Sequence, residues 1–305
     1  MKPWLDPRLA GLLKVLATLG MVALILWKVG PDRITKAWAG ANGAAVAIAA
    51  GLGVVVLFLT ALKWKLMLNG SGFPVTWRRA AISVVAGMGV GLLTPMRIGE
   101  LSRIFLLRGN REALLGVAAI DKTIDLESLL VLAAIGCAMA HWMNPAMIFG
   151  GLAALVLGLM LFPGLYTSVP TGLLRHLPFH TRIQRVLLFV KSVPLTVIFG
   201  ALAVRFVVCA IDMIQFGVLV NAFGHADLIA IAVTYPLIVL VNAFPITIGG
   251  IGIREGTSAL VLSSFGVPAT VAVSASFLLF CINTLAPGLA GSWFVGHMRS
   301  QGQFQ

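Results

Sequence analysis

The sequence contains apolar runs that are each long enough to cross a lipid bilayer. A membrane-spanning helix needs about 20 consecutive apolar residues. Six runs meet this length, at residues 9–29, 41–62, 113–140, 147–169, 194–223 and 267–297. A water-soluble globule cannot bury this much apolar surface, because much of any folded surface faces solvent. The runs exclude a soluble enzyme, a DNA-binding domain and a disordered scaffold, and they predict an all-α polytopic membrane protein.

The composition predicts a single membrane domain over residues 1–305. Hydrophobic residues make up 59% of the chain and charged residues only 10%, whereas a soluble domain carries about 25% charged residues. No long polar block divides the chain. The net charge is +12, and the basic residues cluster between apolar segments, where they orient a membrane protein. We therefore expect a membrane partner and no nucleic acid.

Two further apolar regions are interrupted by proline, glycine and charged residues. The first, at residues 80–109, contains Pro95 and has basic clusters on both sides. If both clusters stay in the cytoplasm, this region must enter the membrane, turn at residues 95–99 and return. The second region, at residues 227–266, is interrupted in the same way by residues 244–256. Irregular backbone at membrane depth is tolerated only beside protein or a water-filled cavity, so we expect two re-entrant helical hairpins.

The two halves of the chain follow the same order of segments, which is span, span, broken hairpin and span. The first repeat covers residues 9–140 with its hairpin at 80–109, and the second covers 147–297 with its hairpin at 227–266. Three spans per unit is an odd number, so the second repeat is inverted. The sequence thus predicts six transmembrane spans plus two re-entrant hairpins, eight hydrophobic segments in total. Interruptions at corresponding positions of two repeats indicate the binding site of a transporter. The alternative to an inverted repeat is that two loops rich in glycine and proline resemble each other by chance.

The distribution of basic residues predicts that both termini are cytoplasmic. With the N-terminus inside, fifteen lysines and arginines fall in inside segments and three in outside segments, which is the bias of the positive-inside rule. The inside residues are Lys2, Arg8, Lys14, Lys63, Lys65, Arg78, Arg79, Arg103, Arg108, Arg111, Arg175, Arg182, Arg185, Lys191 and Arg299, and the outside residues are Lys28, Arg33 and Lys36.

Charged residues inside the apolar segments are the candidate functional residues. Each costs about 2.5–3.5 kcal/mol to insert, so each needs a partner or a wet cavity. In the first hairpin Arg97, Glu100 and Arg103 are spaced three apart, so both arginines can reach the glutamate if the stretch is helical. The other candidates are Asp121, Lys122, Asp125 and Glu127 in the next span, Arg205 and Asp212 in a later span, and Arg254 and Glu255 in the second hairpin.

We expect the two hairpins to build a polar central cavity that binds an anionic headgroup. Arg97 and Arg254 would grip a phosphate with two-pronged hydrogen bonds, which the planar guanidinium group favours. The backbone at Gly249 and Gly250 could approach the anion closely, because glycine carries no side chain and the following helix N-terminus points its amides at the anion.

The acidic residues of the hairpins allow two interpretations. Glu100 and Glu255 would hold the arginines when no substrate is bound, or they would titrate. The alternative is that these charges form internal salt bridges that only fasten the hairpins into the bundle. Arg205 and Asp212 lie two turns apart, about 10 Å along the helix axis, so they cannot pair directly. For these two residues we favour a structural role.

The sequence predicts no cofactor and no metal site. His176 and His180 are four residues apart, but Pro178 breaks any helix between them and no carboxylate is near. The cysteines are scattered within apolar runs, and we expect them to be small buried residues.

Four motifs give the chain a resemblance to a known family. They are LTPMRIGEL at 93–101, DKTID at 121–125, FPITIGGIGIREG at 244–256 and the segment 283–291 with its proline. They resemble the flippase-like transmembrane family of the lysylphosphatidylglycerol synthase membrane region, over nearly the whole chain. Lys122 stands where that family usually has arginine, and Phe280-Cys281 stands where it usually has an aromatic–arginine pair. The resemblance implies a protein of the bacterial inner membrane that moves lipids or lipid-linked sugars between leaflets.

The function predicted from these observations is translocation of an anionic or zwitterionic lipid or lipid-linked sugar, without chemical change. The expected partner is a phospholipid or a polyprenyl-phosphate-linked lipid. We do not expect the chain to synthesise aminoacyl lipids itself. One alternative is an intramembrane enzyme on lipid-linked substrates that uses Asp121, Asp125 and Glu127 as acid and base. Another is a non-transporting partner of a glycosyltransferase, in which the hairpin charges are fully paired and no cavity exists.

Overall fold

The computed structural model describes residues 19–24, 27, 29–162, 186, 189–242, 247 and 250–300. In this part of the chain every regular element is a helix, which confirms the all-α prediction. The helices are α1 (Pro31–Ala39), α2 (Gly43–Gly70), α3 (Trp77–Leu93), α4 (Arg111–Met139), α5 (Met143–Leu161), α6 (Leu195–Phe223), α7 (Leu228–Val241), α8 (Ile253–Ser263), α9 (Ala269–Phe280) and α10 (Ala286–Ser300). A 3₁₀ segment (Pro95–Leu106) follows α3, and a π-helical turn (Cys281–Leu285) joins α9 to α10.

Asparagine side chains fix the first turns of two long helices. Asn42 accepts hydrogen bonds from the backbone amides of Ala44 and Ala45 at 3.0 and 3.3 Å at the start of α2. Asn110 accepts from Glu112 and Ala113 at 2.9 and 3.3 Å at the start of α4. These bonds satisfy amides that have no partner within the helix. Both helices therefore begin where the sequence supplies a cap just before an apolar run.

Within the described ranges, four helical stretches are long and apolar enough to span a membrane. They are α2, α5, α6 and the continuous stretch Ala269–Phe294. They confirm the runs predicted at 41–62, 147–169, 194–223 and 267–297, and with them a multi-pass membrane protein. Helix α4, predicted at 113–140, has 29 residues and is about 43 Å long, but its charged residues lower its hydropathy. The predicted run at 9–29 lies mostly outside the described residues.

The first predicted hairpin folds back on itself, because α3 packs along the 3₁₀ segment that follows it. Thr94 Oγ1 accepts a hydrogen bond from the Gly99 amide at 2.7 Å and closes the turn. A Cβ on Gly99 would lie 2.4 Å from the Val90 carbonyl oxygen, and a Cβ on Gly91 would lie 2.8 Å from Glu100 Cγ. The glycines thus allow the arms to touch. That this hairpin is re-entrant stays a prediction.

The second predicted hairpin has α7 and α8 as its arms, which also pack together. Much of the connecting segment, including Gly249, lies outside the described residues. Gly250 and Gly252 have φ angles of 75° and 88°, a region that side chains other than glycine rarely adopt. Glu255 Oε2 accepts a hydrogen bond from the Gly252 amide at 2.6 Å, so this carboxylate caps the first turn of α8.

The two largest apolar clusters of the described residues hold the bundle together, and small residues join its halves. One cluster lies mainly among α6–α9 and the other mainly among α2–α4 and the start of α6. Helix α3 packs closely against α10. A Cβ on Gly291 would lie 1.9 Å from the Val85 carbonyl oxygen, and a Cβ on Gly89 would lie 2.5 Å from the Ser292 amide nitrogen. The first hairpin is therefore packed against the last helix of the second half, as small residues permit in membrane bundles.

Candidate functional site

A polar cavity of about 330 Å³ lies among helices from both halves of the chain. Its wall is formed by residues of α2, α3, the 3₁₀ segment, α4, α6, α7, α8, α9 and the π-helical turn. The charged residues of the described wall are Lys63, Arg103, Lys122, Arg205 and Arg254, with Glu100, Asp121, Asp125 and Asp212. Five cations thus face four carboxylates, and the described wall carries a small excess of positive charge that favours an anion.

A buried ion-pair cluster forms one part of this wall. Lys63 Nζ lies 2.9 Å from Asp121 Oδ1 and 2.5 Å from Asp125 Oδ1, and Arg103 Nη2 lies 2.5 Å from Asp121 Oδ2. The guanidinium group of Arg103 lies over the ring of Trp64, 3.7 Å from its centre. Buried charges of this kind persist only when each is paired and hydrogen-bonded. The cluster therefore joins α2, α4 and the first hairpin.

A second group of contacts is more exposed. Arg205 Nε lies 3.1 Å from Asp125 Oδ1. Lys122 contacts the carboxylate of Glu100 directly, and its Nζ is 3.7 Å from Asp125 Oδ2. The Lys122 side chain is 43% exposed. Lys122 thus connects α4 to the first hairpin at a point that water and headgroups can reach.

The cavity opens to the protein surface beside α4. Leu126, one turn after Lys122, also lines the cavity and is 41% exposed. Both side chains therefore have one side in the cavity and the other on the outer surface of a long helix. A polar group could enter between them while an attached apolar chain stays outside the bundle.

Arg254 and Glu255 face different cavities. Arg254 lines the polar cavity, and its guanidinium group lies 4.3 Å from the centre of the Phe280 ring. Glu255 instead lines a separate apolar pocket of about 480 Å³ with residues such as Trp38 and Phe277. Glu255 is therefore not part of the described wall of the polar cavity in which the sequence places it, because successive side chains on a helix point about 100° apart. Its carboxylate lies 3.6 Å from the Arg254 guanidinium group, within ion-pair distance.

Asp212 belongs to a network of neutral polar residues. Tyr235 Oη donates to Asp212 Oδ2 at 2.7 Å, and Asn283 Nδ2 donates to Asp212 Oδ1 at 3.1 Å. Gln215 exchanges two hydrogen bonds with Asn283, at 2.9 and 2.7 Å. A Cβ on Gly53 would lie 2.9 Å from Asn283 Oδ1, so the glycine leaves room for this network.

The structure brings most of the predicted site residues together. Glu100, Asp121, Lys122, Asp125 and Arg254 all line the polar cavity. Gly250 lies beside it, because its missing Cβ would meet the side chain of the wall residue Asn242 at 1.6 Å. The Arg97 side chain and Gly249 lie outside the described part of the structure.

The structure identifies the partners of three charged residues of the wall. The spacing in the sequence allows Arg103 to reach Glu100 on a helix, but Arg103 binds Asp121 on α4, because its side chain turns into the buried cluster. Arg205 and Asp212, for which the sequence favours a structural role, both line the cavity. As expected from their two-turn separation, they do not pair directly: Arg205 binds Asp125 and Asp212 binds Tyr235.

The sequence does not predict the role of several polar residues of the cavity wall or its support, including Lys63, Tyr235, Asn283 and Gln215. Lys63 was counted as an orienting charge in a loop, yet it is buried in the ion-pair cluster. Tyr235 and Gln215 belong to no motif of the sequence, and Asn283 enters only as the first residue of the motif at 283–291. The available signal was the number of acidic residues in the apolar segments, since each buried carboxylate needs a cation or several hydrogen-bond donors.

Glu127 is buried on α4 but is not part of the described wall. Its Oε2 has no hydrogen-bond partner among the described residues. Within the described ranges, no group of three or more His, Cys, Asp or Glu side chains is placed to hold a metal ion.

Comparisons with known proteins match most of the chain. A family model described as the lysylphosphatidylglycerol synthase TM region matches residues 11–291. A UPF0104 membrane protein of Methanothermobacter thermautotrophicus is 24% identical over 327 aligned residues, which cover 93% of this chain and 92% of the relative. The region matched by the family model includes both hairpins and every charged residue of the described cavity wall.

Proposed function

This chain belongs to the lysylphosphatidylglycerol synthase transmembrane-region family, and on that premise we propose that it moves an anionic or zwitterionic lipid, or a lipid-linked sugar, between the leaflets of a membrane. The observation that carries the proposal is the charged cavity inside an apolar helical bundle. A charged group at the bilayer centre costs several kcal/mol. A cavity lined by cations and carboxylates lowers that cost for a headgroup.

The wall offers a sequence of contacts for a headgroup phosphate. Lys122 is exposed at the mouth, and its contacts with Glu100 and Asp125 are the two most exposed ion pairs of the described wall. Exposed pairs contribute only about 0–1 kcal/mol, so a phosphate can replace Glu100 at little cost. Arg254 lies deeper, with its guanidinium plane held against Phe280. A planar guanidinium group binds phosphate through two parallel hydrogen bonds.

The proposed topology has six spans and two re-entrant hairpins in two inverted repeats, at residues 9–140 and 147–297. It is supported by the finding that both hairpins fold back on themselves and supply residues to one cavity. Rocking of one repeat against the other would expose the cavity to each leaflet in turn. We place the protein in the bacterial inner membrane with both termini in the cytoplasm.

The geometry gives less support to the two alternatives. The intramembrane enzyme considered from the sequence would use Asp121, Asp125 or Glu127 as its acid and base, but Asp121 and Asp125 each contact two or more cations, and Glu127 is not part of the described wall. A non-transporting partner of a glycosyltransferase would have no need of a charged cavity. We therefore propose that the protein does not change its lipid chemically.

The experiment is leaflet exchange of headgroup-labelled lipids in proteoliposomes. Replacing Arg254 by alanine removes charge-assisted hydrogen bonds, which contribute about 1.5–3 kcal/mol, so we expect exchange to fall by about 10- to 100-fold. Arg254→Lys should restore part of the rate, because lysine keeps the charge but loses the two-pronged geometry. Arg108→Ala is the control, since Arg108 is exposed outside the described wall.

Two results would contradict the proposal. One is that anionic phospholipids, zwitterionic phospholipids and polyprenyl-phosphate sugars all move no faster than in empty vesicles. The other is that Arg254→Ala and the control Arg108→Ala both exchange lipid as fast as the wild type.

A further inference from the structure

Asp212 differs from every other carboxylate of the described cavity wall in its partners. Glu100, Asp121 and Asp125 each contact at least one lysine or arginine. No cationic nitrogen of the described residues lies within 4.0 Å of the Asp212 carboxylate. Its two hydrogen bonds come from neutral donors, Tyr235 Oη and Asn283 Nδ2.

The site around Asp212 is buried and closely packed, yet it faces the cavity. Asp212 is 5% exposed, and it lines the cavity together with Tyr235 and Asn283. Asn283 lies in the π-helical turn between α9 and α10, and such turns inside α-helices occur frequently at functional sites. Gln215 fixes the Asn283 amide and donates to the Ala49 carbonyl oxygen at 2.8 Å. The network orients the carboxylate without neutralising it.

Several other titratable or charged groups surround Asp212. Its own helix carries Arg205 and Cys209, α4 carries Asp125, and α7 carries Tyr235. Two further cations line the same cavity, Lys63 on α2 and Arg254 on α8. The described wall residues of α9 and the π-helical turn are uncharged. Arg205 is the nearest cation along α6, and its Nε is bound to Asp125.

We propose that Asp212 binds and releases a proton during the transport cycle, so that lipid movement is coupled to proton movement. An O–H bond forms on the carboxylate with a proton taken from water on one side of the membrane, and it breaks to return the proton to water on the other side. Protonating Asp121 would leave Lys63 and Arg103 without their shared partner, which is costly for buried charges. Protonating Asp212 leaves no paired cation behind.

The proton also changes the charge that an anionic headgroup meets. With Asp212 ionised, the described wall has five cations and four carboxylates; with Asp212 protonated, it has five cations and three carboxylates. The protonated wall therefore attracts an anion more strongly, and deprotonation favours release. A headgroup with one negative charge and one proton would then cross together without net charge movement.

This inference rests on the proposed lipid exchange, and the first test measures how that exchange responds to a pH gradient. The assay uses proteoliposomes with a labelled anionic phospholipid. The rate ratio is the exchange rate under one pH gradient divided by the exchange rate under the opposite pH gradient. In the wild type this ratio should differ from one. In Asp212→Asn, which keeps hydrogen-bonding capacity but cannot ionise, the ratio should fall to one. Glu127→Gln, a buried carboxyl group outside the described wall, should keep the wild-type ratio. A sodium gradient at constant pH should leave the wild-type ratio at one.

A second test measures the proton without lipid exchange. Infrared difference spectra of the protein in nanodiscs, taken between acidic and alkaline samples, should show a carboxylic-acid C=O band that is lost in Asp212→Asn and kept in Glu127→Gln. This spectrum decides the question if Asp212→Asn is too slow for a rate ratio.

The outcomes separate the inference from the proposed function. The inference is overturned if Asp212→Asn keeps the gradient response or the infrared band. It is also overturned if wild-type exchange ignores the pH gradient or responds to the sodium gradient instead. The proposed function fails on different results, namely if no lipid exchanges at all or if Arg254→Ala exchanges lipid as fast as the wild type, whatever the infrared spectra show.

Discussion

Replacing Asp121 by asparagine removes the negative charge that two buried cations share. Arg103 loses its 2.5 Å contact with Asp121 and keeps its stacking on Trp64, whereas Lys63 keeps Asp125 at 2.5 Å. Removing one partner of a buried ion pair costs about 3–5 kcal/mol, because the remaining charge is buried without compensation. We expect Asp121→Asn to lower the free energy of unfolding by about that amount.

The matched control is Lys122→Gln on the same helix. It removes the contacts with Glu100 and Asp125, but the Lys122 side chain is 43% exposed, so the expected loss is about 0–1 kcal/mol. The free energy of unfolding can be measured for both variants by steric trapping in bicelles. The reasoning is refuted if Asp121→Asn lies within about 1 kcal/mol of the wild type, or if Lys122→Gln destabilises the protein equally.

Three further predictions concern packing, the second hairpin and orientation. Gly291→Ala should lower the free energy of unfolding by about 1–3 kcal/mol, because its Cβ would meet the Val85 carbonyl oxygen at 1.9 Å. The control Gly51→Ala has open space around the new Cβ and should be neutral or stabilising. Equal melting temperatures for the two variants would contradict this prediction. Gly250→Ala should abolish lipid exchange, because its φ of 75° and the contact with Asn242 exclude a Cβ. The control Gly266→Ala, with φ of 77° and no neighbour near the new Cβ, should exchange lipid normally. Similar exchange rates for both variants would argue against a role for the Gly250 turn. Reporter fusions at both termini should be active only in the cytoplasm, and an active periplasmic fusion at Gln305 would disprove the six-span topology.

The sequence predicted the helical, multi-pass architecture because apolar length is a local property of the chain. Four of the six predicted spans appear as long apolar helices. The first hairpin was also predictable, since the turn around Thr94 and Gly99 is encoded by adjacent residues. The 3₁₀ form of its second arm was not, because it depends on close packing against α3.

Which charged residues pair with each other could not be predicted from the sequence. Lys63 and Asp125 are 62 positions apart, and only the packing of α2 against α4 brings them together. Glu255 follows Arg254 directly, yet the rotation of α8 directs the two side chains to different cavities. A charged residue in an apolar run can be recognised from sequence, but the direction in which it points requires the packed bundle.

The most direct test of the central claim is to locate a lipid headgroup inside the polar cavity. The protein in nanodiscs would be exposed to an anionic lipid with a photoactivatable diazirine on its headgroup, and the modified residues identified by mass spectrometry. We predict adducts on wall residues such as Thr60 and Met88, which disappear when excess unlabelled lipid is added. Adducts confined to the outer surface, such as at Leu155 on α5, which is 58% exposed, would contradict the account.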